Sequence, residues 1–136
     1  MTARHQTPPP LVPSISPAAA HRRALGAYGE TVAARHLVRQ GMVLLDRNWR
    51  CPLGEIDLVL RDGDVLVICE VKTRTSEVCG TPHEGVGPEK LARMRRLAAQ
   101  WLRVHQVHPR DIRFDLVAVL RPRKGPSRIE HVPGLS

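Results

Sequence analysis

Two acidic residues and one lysine fall close together in a segment of the chain that has the pattern of paired strands. Asp57 lies in the first of these strands, and Glu70 and Lys72 stand two residues apart in the second. Ionised carboxylates in a sheet repel one another unless they are paired or bind a cation. Because every ligand in this pattern would be an oxygen atom, it favours Mg²⁺ or Mn²⁺.

The pairing of the two strands is predicted by an Asp-Gly turn signal. If the hairpin closes on Asp62-Gly63, Leu60 pairs with Val65 and Asp57 pairs with Ile68. Strand residues two apart share a side, so one face is wholly apolar and is expected to be buried. That face carries Ile56, Leu58, Leu60, Val65, Val67, Cys69 and Val71.

The opposite face of the hairpin is expected to be apolar near the turn and charged at its open end. Its apolar part is Val59, Leu66 and Ile68, and its charged part is Asp57, Glu55, Glu70 and Lys72. Asp57 and Glu70 are diagonal neighbours in this register, roughly 5.5–8 Å apart at the backbone, which is within reach of one shared ion.

A lattice of ion pairs on an exposed sheet face is the alternative interpretation of these charges. Lys72 would then pair with Glu70 or Glu55, and Glu55 with Arg74 or Arg50. The apolar residues on the same face weaken this alternative, because they indicate that a helix covers it.

The elements around the hairpin indicate a mixed α/β sheet flanked by helices. Helical spacing runs from Ala24 to about Gln40 and from about Pro88 to His105, and a loop rich in Gly and Pro, from about Ser76 to Gly87, precedes the second helix. The remaining strands are predicted from Met42 toward Trp49, over Ile112 to Leu120 and over Arg128 to Val132. Residues 1–21 are predicted to be a disordered Pro-rich arm, and 22–136 a single domain.

Composition narrows the classes of partner. The formal net charge of +8 favours a polyanion, and aromatic residues at 3% are too few for a protein built on base-stacking platforms. Cys51, Cys69 and Cys79 show no zinc-ligand spacing. The chain has no apolar run of membrane-spanning length and prolines interrupt its N-terminal stretch, so no membrane association and a cytoplasmic location are expected.

The motifs also resemble a known family. Asp57 followed after a hairpin by Glu70-Val-Lys72 is similar to the PD-(D/E)xK signature of restriction-endonuclease-like nucleases. The wider pattern resembles the YraN-type bacterial family, which is placed near archaeal Holliday-junction resolvases. Its segments here are Gly26-Ala-Tyr-Gly-Glu30, Arg47-Asn-Trp-Arg50, Gly54-Glu-Ile-Asp57, Glu70-Val-Lys-Thr-Arg74 and Arg113-Phe-Asp-Leu-Val-Ala-Val119.

The resemblance implies a restriction-endonuclease-like fold and assigns roles within it. Asp57, Glu70 and the helix-borne Glu30 would be metal ligands and catalytic residues. Lys72 would be the catalytic lysine that holds or deprotonates the attacking water and stabilises charge on the phosphate. Ile56 stands where the signature has its proline, a position that varies across the superfamily.

Basic residues near these motifs are candidate DNA contacts. Lys90, Arg93 and Arg96 make the second predicted helix basic, which is either a solvated face or a surface that follows phosphates. Thr73 and Arg74, directly after Lys72, are candidates for orienting the substrate backbone.

The resulting functional prediction is a Mg²⁺- or Mn²⁺-dependent phosphodiester hydrolase, an endonuclease acting on DNA, with branched DNA as the candidate substrate. A homodimer is plausible, because resolvase-like enzymes act in pairs on symmetric junctions. The alternative is a non-catalytic DNA-binding module that keeps the nuclease fold and recruits other proteins.

Overall fold

The computed structural model describes residues 15–75 and 86–136, which form two helices and five strands. In chain order these are α1 Pro17–Arg39, β1 Val43–Cys51, β2 Gly54–Asp62, β3 Val65–Arg74, α2 Pro88–His105, β4 Asp111–Leu120 and β5 Arg128–Val132.

The five strands form one mixed sheet in the order β1-β2-β3-β4-β5. Neighbouring strands are antiparallel except β3 and β4, which are parallel. A parallel pair needs a crossover connection, and α2 lies within the connection between β3 and β4. The predicted mixed α/β sheet with helices is therefore confirmed.

Helix α1 begins earlier than the sequence pattern suggested. Its first residue is Pro17, whereas the arm was predicted to reach residue 21. The Ser16 side chain caps the helix by accepting a hydrogen bond from the backbone N–H of Ala19, and proline is favourable in the first turn. Residues 1–14 of the predicted arm lie outside the described residues.

Helix α2 agrees closely with the prediction. It buries one stripe against the sheet, made of Leu91, Met94, Leu97, Ala98 and Trp101, at the spacing of one helical face. The helix ends where Gln106 takes a left-handed conformation and donates its backbone N–H to the carbonyl oxygen of Leu102. The loop predicted from Ser76 to Gly87 lies outside the described residues up to residue 85.

The two helices cover opposite faces of the sheet. Leu58 and Leu60 of β2 belong to a buried cluster with Ala33 and Leu37 of α1, whereas Val59 between them belongs to a second cluster. The second cluster contains the buried stripe of α2. The sheet is thus sandwiched between α1 and α2, which makes its central strands apolar on both sides.

The register of the β2–β3 hairpin differs by two residues from the predicted one. Asp62 pairs with Val65 and Leu60 with Val67, so the turn is Gly63-Asp64 rather than Asp62-Gly63. Gly63 has φ of 60°, and a positive φ at the first turn position alone suits glycine in a type II′ turn. Because the shift is an even number, it does not by itself exchange the faces of the strands.

One residue of the predicted apolar face was placed on the wrong side. Ile56 was expected beside Leu58, but it packs in the cluster under α2. Side chains two apart share a face only along a regular strand, and β2 is irregular at Asp57. The β2–β3 ladder starts at Leu58–Cys69, and β1 places Asn48, with φ of 53°, between the pairs that flank Asp57.

No helix in residues 15–75 and 86–136 is long and apolar enough to cross a membrane. Cys51 and Cys69 are free thiols, and Cys69 is buried in the cluster under α1, as predicted for a core residue. Cys79 lies outside the described residues.

Candidate metal centre

Three carboxylates meet at the irregular end of β2. Glu30 of α1 and Glu55 and Asp57 of β2 each offer an oxygen atom, and these three oxygens lie within 4.8 Å of one another. Glu30 and Asp57 were predicted as ligands. They are far apart in sequence because one lies on α1 and the other on β2, and the fold brings them together.

Asp57 is held in place by the neighbouring strand. Its Oδ2 accepts a hydrogen bond of 2.9 Å from the backbone N–H of Val71. The pKa of Asp57 is raised from 3.8 to about 7, with burial as the largest cause and the nearby carboxylate of Glu70 as the next. Glu30 and Glu55 add to this repulsion, whereas the hydrogen bond from Val71 opposes it.

Glu30 shares the same electrostatic situation. Burial is the main cause that raises its pKa, followed in the same direction by Glu55 and Glu70. A hydrogen bond from the Asn48 side chain and the guanidinium of Arg47 act in the opposite direction. The neighbouring carboxylates therefore help to raise the pKa values of both Asp57 and Glu30, which is the condition that a bound cation relieves.

Two residues of β1, Arg47 and Asn48, interact with the Glu30 carboxylate. The sequence alone assigned neither of them an individual role. Arg47 Nε lies 3.8 Å from Glu30 Oε2, and its guanidinium donates to the carbonyl oxygen of Ala27 and to Thr31 Oγ1. These contacts fasten β1 to α1. Asn48 follows in a left-handed conformation, which asparagine tolerates better than most residues and which accompanies its bond to Glu30. Both lie in the Arg47-Asn-Trp-Arg50 segment, which was the available signal.

Glu55 is the ligand candidate that the sequence analysis left as an ion-pair residue. Its carboxylate lies 3.2 Å from Arg50 Nε, one of the two pairings considered, and it also joins Glu30 and Asp57. Arg50 is largely exposed, so the pair is screened by solvent and leaves Glu55 available to an ion.

Glu70 lies on the neighbouring strand, and its carboxylate pairs with a lysine of α2. A cleft of about 300 Å³ is lined by residues of the sheet and of α2, and both Asp57 and Glu70 face it. Glu70 Oε1 lies 2.6 Å from Nζ of Lys90, in the first turn of α2. The other residues that line the cleft are Gly54, Glu55, Arg93, Met94 and Leu97.

Lys72 lies two residues beyond Glu70 on β3. Burial is the largest cause that lowers its pKa, and the positive charges of Lys90 and Arg74 lower it further, while Glu70 acts in the opposite direction. A lysine with a lowered pKa gives up a proton more readily, which suits a role at an attacking water.

The other predicted DNA contacts fall in two groups. Arg93 and Arg96 are exposed on α2, and Arg93 also lines the cleft. Thr73 and Arg74 are half-buried on β3, and Thr73 presses its side chain against α1. Both arginines are thus exposed on α2, with Arg93 beside the cleft, whereas Thr73 faces α1.

Comparison with known proteins identifies the family. The model of the "Uncharacterised protein family UPF0102" matches residues 29–119. The chain belongs to this family. This confirms the resemblance to the YraN-type family that was drawn from the segments around Glu30, Asp57 and Glu70.

Curated members of UPF0102 are similar over nearly their whole length. The UPF0102 protein of Nocardioides sp. is 67% identical over 120 residues, which are 88% of this chain and 97% of that protein. The UPF0102 protein of Kineococcus radiotolerans is 57% identical over 83% of this chain and 93% of its own. That of Beutenbergia cavernae is 57% identical over 82% and 95%.

The segment matched by the UPF0102 model contains every group of the carboxylate cluster and of the cleft. It starts at Gly29, whose position on α1 brings Glu30 to β2. Thr73 Oγ1 stands where a side chain at position 29 would begin, so only glycine lets α1 approach β3 this closely. The family segment therefore includes both the candidate ligands and the close contact that positions them.

The donor set fits a hard divalent cation. Three carboxylate oxygens within 4.8 Å can converge on one ion with small side-chain movements, and Mg²⁺ and Mn²⁺ prefer oxygen ligands. Half-buried acids with raised pKa values gain most from such an ion, since it removes their mutual repulsion.

Proposed function

We propose that this UPF0102 protein is a divalent-metal-dependent DNA endonuclease of the restriction-endonuclease-like PD-(D/E)xK superfamily. The observation that carries the proposal is the convergence of Glu30, Glu55 and Asp57 within 4.8 Å, of which Glu55 and Asp57 line a cleft together with Glu70. Lys72 lies two residues beyond Glu70 on the same strand. The order Asp57, hairpin, Glu70-Val-Lys72 supports the superfamily assignment, and the mixed sheet between two helices is compatible with it.

The chain's own residues would divide the work of phosphodiester hydrolysis. Glu30, Glu55 and Asp57 would hold Mg²⁺ or Mn²⁺, which supplies charge stabilisation at the phosphate and lowers the pKa of a bound water. Lys72, whose pKa is already lowered, would accept or guide the proton of the attacking water. The Val71 N–H keeps the Asp57 carboxylate in one orientation throughout.

DNA is the substrate class that the surface supports. The formal net charge of +8 favours a polyanion, and Arg93 and Arg96 lie exposed on α2, with Arg93 at the mouth of the cleft. Branched DNA is proposed within this class, because the resemblance to Holliday-junction resolvases points to junctions. Two copies of the chain would act on such a symmetric substrate.

A direct test is incubation of the full chain with branched, flapped and linear DNA in Mg²⁺ or Mn²⁺. We expect metal-dependent cutting that leaves 5′-phosphate ends. Asp57→Asn and Lys72→Met should each reduce the rate of cutting by at least about 100-fold. Asp64→Asn, an exposed acid in the β2–β3 turn, is the matched control and should cut like wild type.

The result that would overturn the proposal is binding without cutting. If wild-type protein binds DNA but leaves every substrate intact in either metal, the non-catalytic recruitment module is the better account. Equal cutting by wild type and Asp57→Asn would trace the activity to a contaminant and have the same consequence.

A further inference from the structure

Glu70 is already paired with a cation, the ammonium group of Lys90. Its Oε1 lies 2.6 Å from Lys90 Nζ, and both side chains are largely buried, 20% and 27% exposed. A charge-assisted contact this short, away from bulk water, is stronger than a surface ion pair. Among the described residues, the set of acids within 4.8 Å of one another is Glu30, Glu55 and Asp57, without Glu70.

Lys90 occupies a position on α2 that is unfavourable for a positive charge, and its contact with Glu70 offsets this. It is the third residue of the helix, where the helix dipole disfavours a positive charge. Residue 89, just before it, is a glutamate, the charge that the dipole favours. A lysine at this point therefore costs helix stability, and its contact with the Glu70 carboxylate offsets that cost.

Lys90 also shares the cleft with the acids that would hold the ion. Glu55, Asp57 and Glu70 line one side of this cleft, and Lys90 and Arg93 reach it from α2. The ammonium group of Lys90 thus occupies the Glu70 carboxylate, an oxygen ligand that a second divalent ion in this cleft would need.

We infer that Lys90 competes with a divalent ion for Glu70, so that the site binds one metal ion, at Glu30, Glu55 and Asp57, and has the Lys90 ammonium in place of a second. The inference rests on the proposed metal-dependent function and specifies how many ions that site takes. It makes Lys90 a positioning residue, which fixes Glu70 and contributes a permanent positive charge beside the phosphate.

Titration calorimetry with Mn²⁺ on the full-length chain, without DNA, tests this inference. We expect one Mn²⁺ per chain for wild type. Lys90→Met should gain Mn²⁺ binding, either as a second ion or as about tenfold tighter binding of the first, because the Glu70 carboxylate loses its paired cation. Lys90→Gln should show the same gain, and far-ultraviolet circular dichroism checks that both variants fold.

Two controls separate this effect from a general loss of positive charge. Arg93→Met removes a cation from the same cleft without removing the partner of Glu70, and it should leave Mn²⁺ binding close to wild type. The double variant Lys90→Met/Glu70→Gln should lose the gain, since the freed carboxylate is no longer present.

The outcomes are distinguishable from a failure of the proposed function. The role of Lys90 alone would be overturned if wild type bound two Mn²⁺ ions, or if Lys90→Met and Lys90→Gln gained no binding. It would also be overturned if Arg93→Met gained as much, or if the double variant Lys90→Met/Glu70→Gln kept the gain. No Mn²⁺ binding by folded wild-type protein would overturn the metal site and, with it, this inference.

Discussion

Asp57 Oδ2 accepts a hydrogen bond of 2.9 Å from the backbone N–H of Val71, across the point where the β2–β3 ladder gives way. The side chain thereby takes the place of a backbone partner between the two strands. This contact holds a half-buried carboxylate facing Glu30 and Glu55 despite their repulsion. The irregularity in the sheet is thus what creates the acidic cluster.

The raised pKa of Asp57 predicts how the stability of the metal-free protein depends on pH. Its folded-state value of about 7 lies above the ordinary 3.8, so its contribution to stability is present at low pH and is lost as pH rises through 7. In EDTA, we expect the unfolding temperature to fall between about pH 4 and pH 7 and to level off above this range. The unfolding temperature of Asp57→Asn, measured by circular dichroism, should fall less over the same range.

Mg²⁺ should reverse this dependence. Binding needs the deprotonated carboxylate, so the stabilisation by Mg²⁺ should grow as pH rises through about 7 and be small below about pH 5.5. Identical pH profiles for wild type and Asp57→Asn, with and without Mg²⁺, would show that Asp57 is not the titrating ligand.

The close approach of Gly29 to Thr73 predicts a second variant. Gly29→Ala would drive a methyl group into the Thr73 side chain, and we expect a loss of about 1–3 kcal/mol in the free energy of unfolding. Gly26→Ala on the same helix meets nothing within 4 Å and should be neutral or stabilising. Chemical denaturation measures both.

A suppressor makes the prediction about Gly29 specific. Thr73→Ala removes the obstructing atoms, so Gly29→Ala/Thr73→Ala should recover part of the loss. If Gly29→Ala is as stable as Gly26→Ala, the contact between α1 and β3 does not position Glu30.

Asn48 should matter in two separable ways. Its left-handed backbone tolerates glycine, so Asn48→Gly should fold stably, whereas Asn48→Ala should lose about 1 kcal/mol of stability from backbone strain. Both variants lack the side chain that bonds to Glu30, so both should bind Mn²⁺ about tenfold more weakly. Wild-type affinity in Asn48→Gly would remove Asn48 from the account of the site.

The basic face of α2 predicts the salt dependence of DNA binding. Arg93→Ala and Arg96→Ala should each weaken binding to all DNA sequences alike and lower the slope of log affinity against log salt by about 1. Arg103→Ala, exposed near the other end of α2, is the control and should change the slope little. Fluorescence anisotropy at several salt concentrations gives these slopes, and equal slopes for all four proteins would rule out this surface.

Much of the fold follows from periodicity alone. The bounds of α2 and of β5 come out as predicted, because helical spacing and apolar alternation are local properties of the chain. The turn of the β2–β3 hairpin was missed, since Asp62-Gly63 and Gly63-Asp64 are equally good turn signals. The missed register still left Asp57 and Glu70 on neighbouring strands of one cleft.

The site was harder to predict where it depends on contacts between distant elements. Strict alternation would place Ile56 and Leu58 on one face of β2, but they lie in clusters on opposite faces. The meeting of Glu55 with Glu30 occurs at this irregularity, which alternation cannot foresee. The pairing of Glu70 with Lys90 depends on how α2 docks on the sheet. Glu30 was found only through the family resemblance, because an acidic residue on a helix carries no local signal of its own.

Anomalous scattering from a crystal of the full chain soaked in Mn²⁺ would locate the ion in the proposed metal site. We expect a single strong peak within bonding distance of carboxylate oxygens of Glu30, Glu55 and Asp57, with Lys90 still at Glu70. Soaked crystals without a peak at these oxygens, or with the ion bound elsewhere, would contradict the proposed metal site.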